Sequence, residues 1–167
     1  MRRVIAGSFL FMLLSGLFVT GLLAAFVAYG RWRLAPLRGG TCTERRYSAD
    51  TLVLESTWHT PTGTVRVVDF MPIRDTRPTL VRVVEGLSGH VEMGVELVAR
   101  FGYGKVVPWV RHLDARWVAV AGPDAVCMRT PVEISVEGGA ASASFAVSES
   151  ERVPFHLAWY PSHEPRP

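Results

Sequence analysis

The chain has 167 residues, 49% apolar and 20% charged, which is enough for one domain with a real core and too apolar for a disordered chain. Its formal charge of +3 is unevenly distributed: the first 38 residues hold Arg2, Arg3, Arg31, Arg33 and Arg38 and no acid, while the other 13 basic residues meet all 15 acids, a net of −2. That excludes a basic nucleic-acid-binding body, since phosphate neutralisation needs positive charge clustered on the folded domain.

Val4 to Tyr29 is a run of 26 residues without a charge. As a helix it would be about 39 Å long against about 30 Å of hydrocarbon, so it can span with tilt. Its Val, Ile, Leu and Phe residues sum to an insertion term of roughly −4 to −8 kcal/mol before the Gly, Ser and Thr penalties. The reading is a single-pass transmembrane helix or uncleaved signal anchor over 1–29, with the membrane as a partner. A cleaved signal peptide is the rival, but its apolar stretch runs only about 7 to 15 residues. Orientation stays open, because arginines flank both ends.

After Gly30-Arg-Trp-Arg-Leu-Ala-Pro36 and a Gly39-Gly40-Thr41 break, the pattern has period two. Leu52 to Trp58 and Thr64 to Phe70 form a predicted hairpin, with Pro61 and Gly63 at the second and fourth positions of a type I turn. Val91, Met93, Val95, Leu97, Ala99 and Phe101 share one face of a strand, and Leu80 to Leu87 is its expected hairpin partner across Ser88-Gly89-His90. Strands are also predicted at 116–121 and 125–129 around Gly122-Pro123-Asp124, at 132–137 and 141–148 around Gly138-Gly139, and at 153–159. The fold class is therefore mainly β, an antiparallel sandwich over 30–160 behind one N-terminal transmembrane helix. Pro-Ser-His-Glu-Pro-Arg-Pro at 161–167 reads as a linker or terminus.

The search for chemistry returns little. His59, His90, His112, His156 and His163 show no metal-ligand spacing, and Cys42 and Cys127 form no CxxC pair. A disulfide between them stays open for an exported chain, but isolated core or surface thiols are the plainer reading. Ser88 lies in a sequence whose second glycine follows it immediately, the wrong register for a nucleophile elbow. Glu92 and Glu96 on one strand would be roughly 13 Å apart, too far for a glycosidase pair. Glu149 and Glu151 sit in a polar connection and read as solvated. No catalytic, cofactor-binding or metal residue is assigned, and no cofactor is implied. Trp58 and Trp159 share the phase of their strands' apolar positions and read as core, while His156 is out of phase and reads as solvent-facing. Lys105 to His112 looks irregular, with an aromatic between basic flanks, so Trp109, Arg111 and His112 are candidates for a ligand or interdomain contact.

Four stretches together resemble the N-terminal domain of trehalase-like enzymes of glycoside hydrolase family 15: Gly30 to Pro36, Leu52 to Pro72, Leu80 to Gly89 and Phe101 to Val110, with likeness continuing to Pro165. The resemblance implies a β-sandwich that precedes an (α/α)6 barrel cleaving trehalose or related α-glucosides by inversion. The family's general acid and base sit on that barrel, so no catalytic residue is carried over. The implied partners are such a barrel, encoded separately or lost, and an α-glucoside ligand. The family domain also starts well before its Gly-Arg-Trp-Arg segment, so the expectation is a truncated reading frame and a sandwich with an unpaired edge.

Overall fold

A computed structural model describes residues 30–73, 77–113 and 116–167. The expected transmembrane helix over 1–29, its orientation and its cleavage lie outside those residues. Among the described residues, no helix is long and apolar enough to cross a membrane.

Among the described residues eleven strands run in chain order: β1 (Arg31–Pro36), β2 (Thr41–Tyr47), β3 (Leu54–Thr60), β4 (Gly63–Phe70), β5 (Thr79–Val98), β6 (Trp109–Leu113), β7 (Arg116–Ala121), β8 (Asp124–Arg129), β9 (Ser135–Glu137), β10 (Ala140–Ser148) and β11 (Arg152–Pro161). All pairings are antiparallel. Two layers result. One is ordered β1-β5-β10-β9, the other β2-β3-β4-β5-β11-β8-β7-β6, and β5 belongs to both.

The expected hairpin across Ser88-Gly89-His90 is corrected: the chain does not reverse there but continues as one 20-residue strand from layer to layer. Thr79 to Gly89 pairs with β4 and β11, and His90 to Val98 pairs with β1 and β10. Gly89 takes a positive φ of 67°, and a side chain there would lie 2.2 Å from the Thr62 carbonyl oxygen. Glycine thus serves a corner, where a bend and a crowded neighbour coincide, rather than a turn. The β10–β11 connection rounds the same corner, with Glu149 N donating to Gly89 O at 3.1 Å and Gly86 N to Glu151 O at 2.9 Å.

The three hairpins with explicit turn chemistry form as expected. Thr60 pairs with Gly63, and the Thr60 hydroxyl accepts from the Gly63 N–H at 3.1 Å, fixing the turn around Pro61. Ala121 pairs with Asp124 across Gly122-Pro123, and Glu137 with Ala140 across Gly138-Gly139. Three further strands differ from expectation. Trp32 and Leu34 of β1 carry the apolar alternation, but over too few residues to mark a strand. β2 carries none, because all seven of its residues are exposed. The stretch expected to be irregular around Trp109 is in fact strand from Trp109 onward, where backbone pairing to β7 imposes regularity the side chains do not advertise.

One core lies between the layers. Leu34, Val91, Met93, Val95, Leu97, Ala141 and Val147 face it from one layer, and Val65, Val67, Val84, Trp117, Met128, Val153 and Phe155 from the other. Each large apolar side chain so buried is worth roughly 1.5–3 kcal/mol. The Phe145 and Phe155 rings meet at 5.4 Å between centroids. Trp58 packs against this core as expected. Trp159 has the expected phase but is 39% exposed, because it sits near the end of β11 beyond the cover of the opposite layer, its indole donating to Asp124 at 2.9 Å. His156 is exposed, as its phase indicates.

Cys42 on β2 and Cys127 on β8 are free. Five inter-strand steps separate their strands, roughly 24 Å, against the approach below about 7 Å that a disulfide requires.

Candidate functional site

Register places three cross-strand rows on the outer face of β6-β7-β8-β11, turned away from the core. They run Trp109–Val120–Ala125–Tyr160, Arg111–Val118–Cys127–Ala158 and Leu113–Arg116–Arg129–His156. An outer sheet face is ordinarily solvated. Here Val118, Ala125, Cys127 and Tyr160 form a second buried apolar cluster. Burial pushes the Cys127 thiol and the Tyr160 phenol above their ordinary pKa, while Arg116, Arg129 and Arg166 pull the thiol the other way.

The cover is supplied by residues 161–167. Ser162 N donates to Pro123 O at 2.8 Å, and its hydroxyl donates to Gly122 O at 2.7 Å. Arg77 donates to Glu164 at 3.1 Å and to the Pro165 carbonyl at 2.9 Å while lying 5.8 Å from the Tyr160 ring centroid. Between this segment and β6 lies a groove of about 520 Å³, walled by Trp109, Arg111, Arg116, Tyr160, Ser162 and Arg166. Trp109 is 61% exposed, and the Arg111 guanidinium stacks 3.5 Å from its ring centroid.

The three sequence candidates therefore separate. Trp109 and Arg111 share the groove. His112 falls on the opposite face of β6, paired across to Trp117, and does not reach it. Arg116, Tyr160 and Arg166 were not singled out by sequence reasoning, because strand pairing and the return of the C-terminal segment put them beside Trp109.

Other concavities lie elsewhere among the described residues. One of about 510 Å³ lies over Arg33, Ala35, Gly94, Ser142 and Ser144 on the outer face of the smaller layer. Its residues are mostly small, and Glu96 there accepts two hydrogen bonds from Arg31, from Nε at 2.9 Å and from Nη2 at 2.5 Å. Another of about 460 Å³ follows β1 past Trp32, Trp58 and Arg82. Carboxylates elsewhere are largely held by arginines, Glu55 and Glu85 by Arg66, Asp69 by Arg82, and Glu92 by Arg38. Arg31 and Arg33 keep the Glu96 carboxyl below the usual range, chiefly through the Arg31 hydrogen bond.

Fold and groove together define a mainly β antiparallel domain with one partly covered outer sheet face that carries a groove lined by arginines and aromatics. Residues 15–158 match the family described as trehalase-like, N-terminal, and the chain belongs to that family. It is 30% identical over 165 residues to a trehalase of Mycolicibacterium smegmatis, covering 83% of this chain and 24% of that protein. It is 28% identical over 157 residues to a trehalase of Mycobacterium tuberculosis, covering 78% of this chain and 23% of that protein. The chain thus spans about a quarter of the length of these relatives.

Proposed function

We propose that this chain is a non-catalytic accessory β domain of a trehalase-like hydrolase of glycoside hydrolase family 15, tethered to a membrane by its N-terminal apolar run. The observation that carries the reading is the family match, which runs from residue 15 to residue 158 and corresponds to only about a quarter of the trehalases concerned. The proposed role is to pack against and shape an (α/α)6 catalytic domain that supplies the acid and the base. Carboxylate chemistry supports it: a glycosidase acid needs a carboxyl with a raised pKa, whereas the shift at Glu96 is downward and Glu55, Glu85 and Asp69 are engaged with arginines.

The purified chain, in detergent, should release no glucose from trehalose or maltose. Hydrolysis that one carboxylate substitution abolishes would overturn the reading. Carbonate extraction of isolated membranes tests the tether.

The exposed Trp109 favours a second reading, a membrane-anchored module that binds carbohydrate or protein. Titration with trehalose and glucans decides it, because no binding, or binding unaltered by Trp109→Ala, removes it.

A further inference from the structure

We propose, on the basis of the membrane tether, that the loop between β5 and β6, residues 99–108, lays its apolar tip on the lipid surface. The uncharged run ends at Tyr29, and the chain enters the fold at Gly30. Gly30 lies so close to the end of β5 that a side chain on it would meet the Val98 carbonyl oxygen at 3.2 Å and the Arg100 nitrogen at 3.3 Å. Arg31, next to it, pairs with Val98. The apolar run therefore arrives at the same end of the smaller layer from which this loop departs.

The loop holds its tip outward. Phe101 packs against the core at the base, and Phe101 and Val106 exchange two backbone hydrogen bonds of 3.0 Å. Between them Gly102, Tyr103 and Gly104 all take positive φ, at 56°, 57° and 88°. A tyrosine in the left-handed region is strained, and no burial offsets that strain, because Tyr103 is fully exposed. Val106, Val107 and Trp109 follow it and are exposed as well. Single exposed apolar residues are ordinary, but four so close together mark a contact surface.

The chemistry of that surface suits a bilayer. Tyrosine and tryptophan settle at the headgroup level, with the ring body in apolar surroundings and the polar edge in water. Residues 98–113 include Arg100, Lys105 and Arg111 and no acid, although the domain as a whole is slightly acidic, so the tip carries the charge that an anionic leaflet attracts. Position selects the bilayer over a protein partner: the tether enters against the first residues of the loop, which keeps the tip beside the membrane. The corner at His90 is eight residues back along β5, roughly 26 Å from Val98, and points the other way.

The full chain, with Cys42→Ala to remove the exposed thiol, is reconstituted into vesicles of phosphatidylcholine and phosphatidylserine. A small fluorophore is attached at Lys105→Cys on the tip or at Glu149→Cys by the corner, and a nitroxide on a shallow acyl carbon of the lipid serves as quencher. The tip label should be quenched several-fold more than the corner label. In Tyr103→Asn/Val107→Ser the apolar contact is lost while asparagine tolerates the left-handed backbone, so tip quenching should fall to the level of the corner. The unfolding midpoint of that variant should equal the parent's or exceed it, so lost quenching cannot be lost folding. Carbonate extraction reads the tether separately. A chain that carbonate releases overturns the tether and the docking with it. A retained chain whose tip is quenched no more than its corner, or whose quenching survives the polar substitutions, overturns the docking alone. A tip shielded from aqueous iodide but not quenched by the lipid marks a protein contact and overturns it too.

Discussion

Arg82 seals the free edge of β1 at Trp32. Its Nη1 donates to the Trp32 carbonyl at 2.9 Å while its guanidinium carbon lies 5.1 Å from the Trp32 ring centroid. Asp69 holds it in place through two hydrogen bonds of 2.8 and 3.0 Å. A strand that would otherwise offer an unpaired carbonyl is thereby closed, and Pro36 at its other end has no N–H to offer. With side chains 15% and 21% exposed, the pair is mostly withdrawn from water. Removing either partner strands the other, so Asp69→Ala and Arg82→Ala should each lose about 3 kcal/mol in urea denaturation. The double variant should lose well under the sum, and additive losses would contradict the coupling.

Two glycines on β5 should respond differently to the same added methyl. At Gly86 it would lie 1.9 Å from the Ser148 carbonyl oxygen, which is backbone and held by the corner. At Gly94 it meets the Leu37 side-chain tip at 2.5 Å, and Leu37 is 54% exposed and free to swing away. Gly86→Ala should cost about 3 kcal/mol, whereas Gly94→Ala should fall within about 1 kcal/mol of the parent. Equal midpoints for the two would count against the corner geometry.

The Arg31–Glu96 pair predicts a pH dependence of definite sign. Because the folded carboxyl titrates below its unfolded value, the pair adds stability at pH above about 4.3, and this is lost as pH falls through the folded value. The side chains are 40% and 34% exposed, so screening holds the effect to about 0.5 kcal/mol. Glu96→Gln should be less stable than the parent by that amount at pH 7 and indistinguishable near pH 2. A difference that persists at pH 2 would assign it to packing.

The two thiols should react at different rates. Cys42 is exposed, whereas Cys127 is 1% exposed with its thiol pKa pushed up by burial, leaving less thiolate at any pH. At pH 8 an aromatic disulfide reagent should modify Cys42 promptly and Cys127 only as the domain unfolds. Shortening the chain at Pro161 should accelerate Cys127, because residues 162–167 cover that face. Equal rates in the parent would refute the burial.

Sequence conveyed those elements whose causes are local. Thr60 to Gly63, Gly122-Pro123 and Gly138-Gly139 carry their turn chemistry in adjacent residues, and the alternation from Val91 to Leu97 named a core face directly. The corner in β5 was misread because Gly89 answers to Thr62 on another strand, and spacing along one strand cannot show that neighbour. β2 was illegible for a different reason: a strand exposed on both faces has no buried side to mark. Trp109 and Arg111 were visible as an aromatic among basic residues. Their neighbours Arg116 and Tyr160 were not, since cross-strand pairing and not spacing along the chain sets them beside the groove.

The passage of β5 through both layers limits how the domain can be taken apart. Neither layer is a detachable module, because deleting one removes half of a strand the other depends on. Permuted termini or grafted insertions therefore belong at the hairpin tips around Gly122-Pro123 or Gly138-Gly139, and not between Thr79 and Val98.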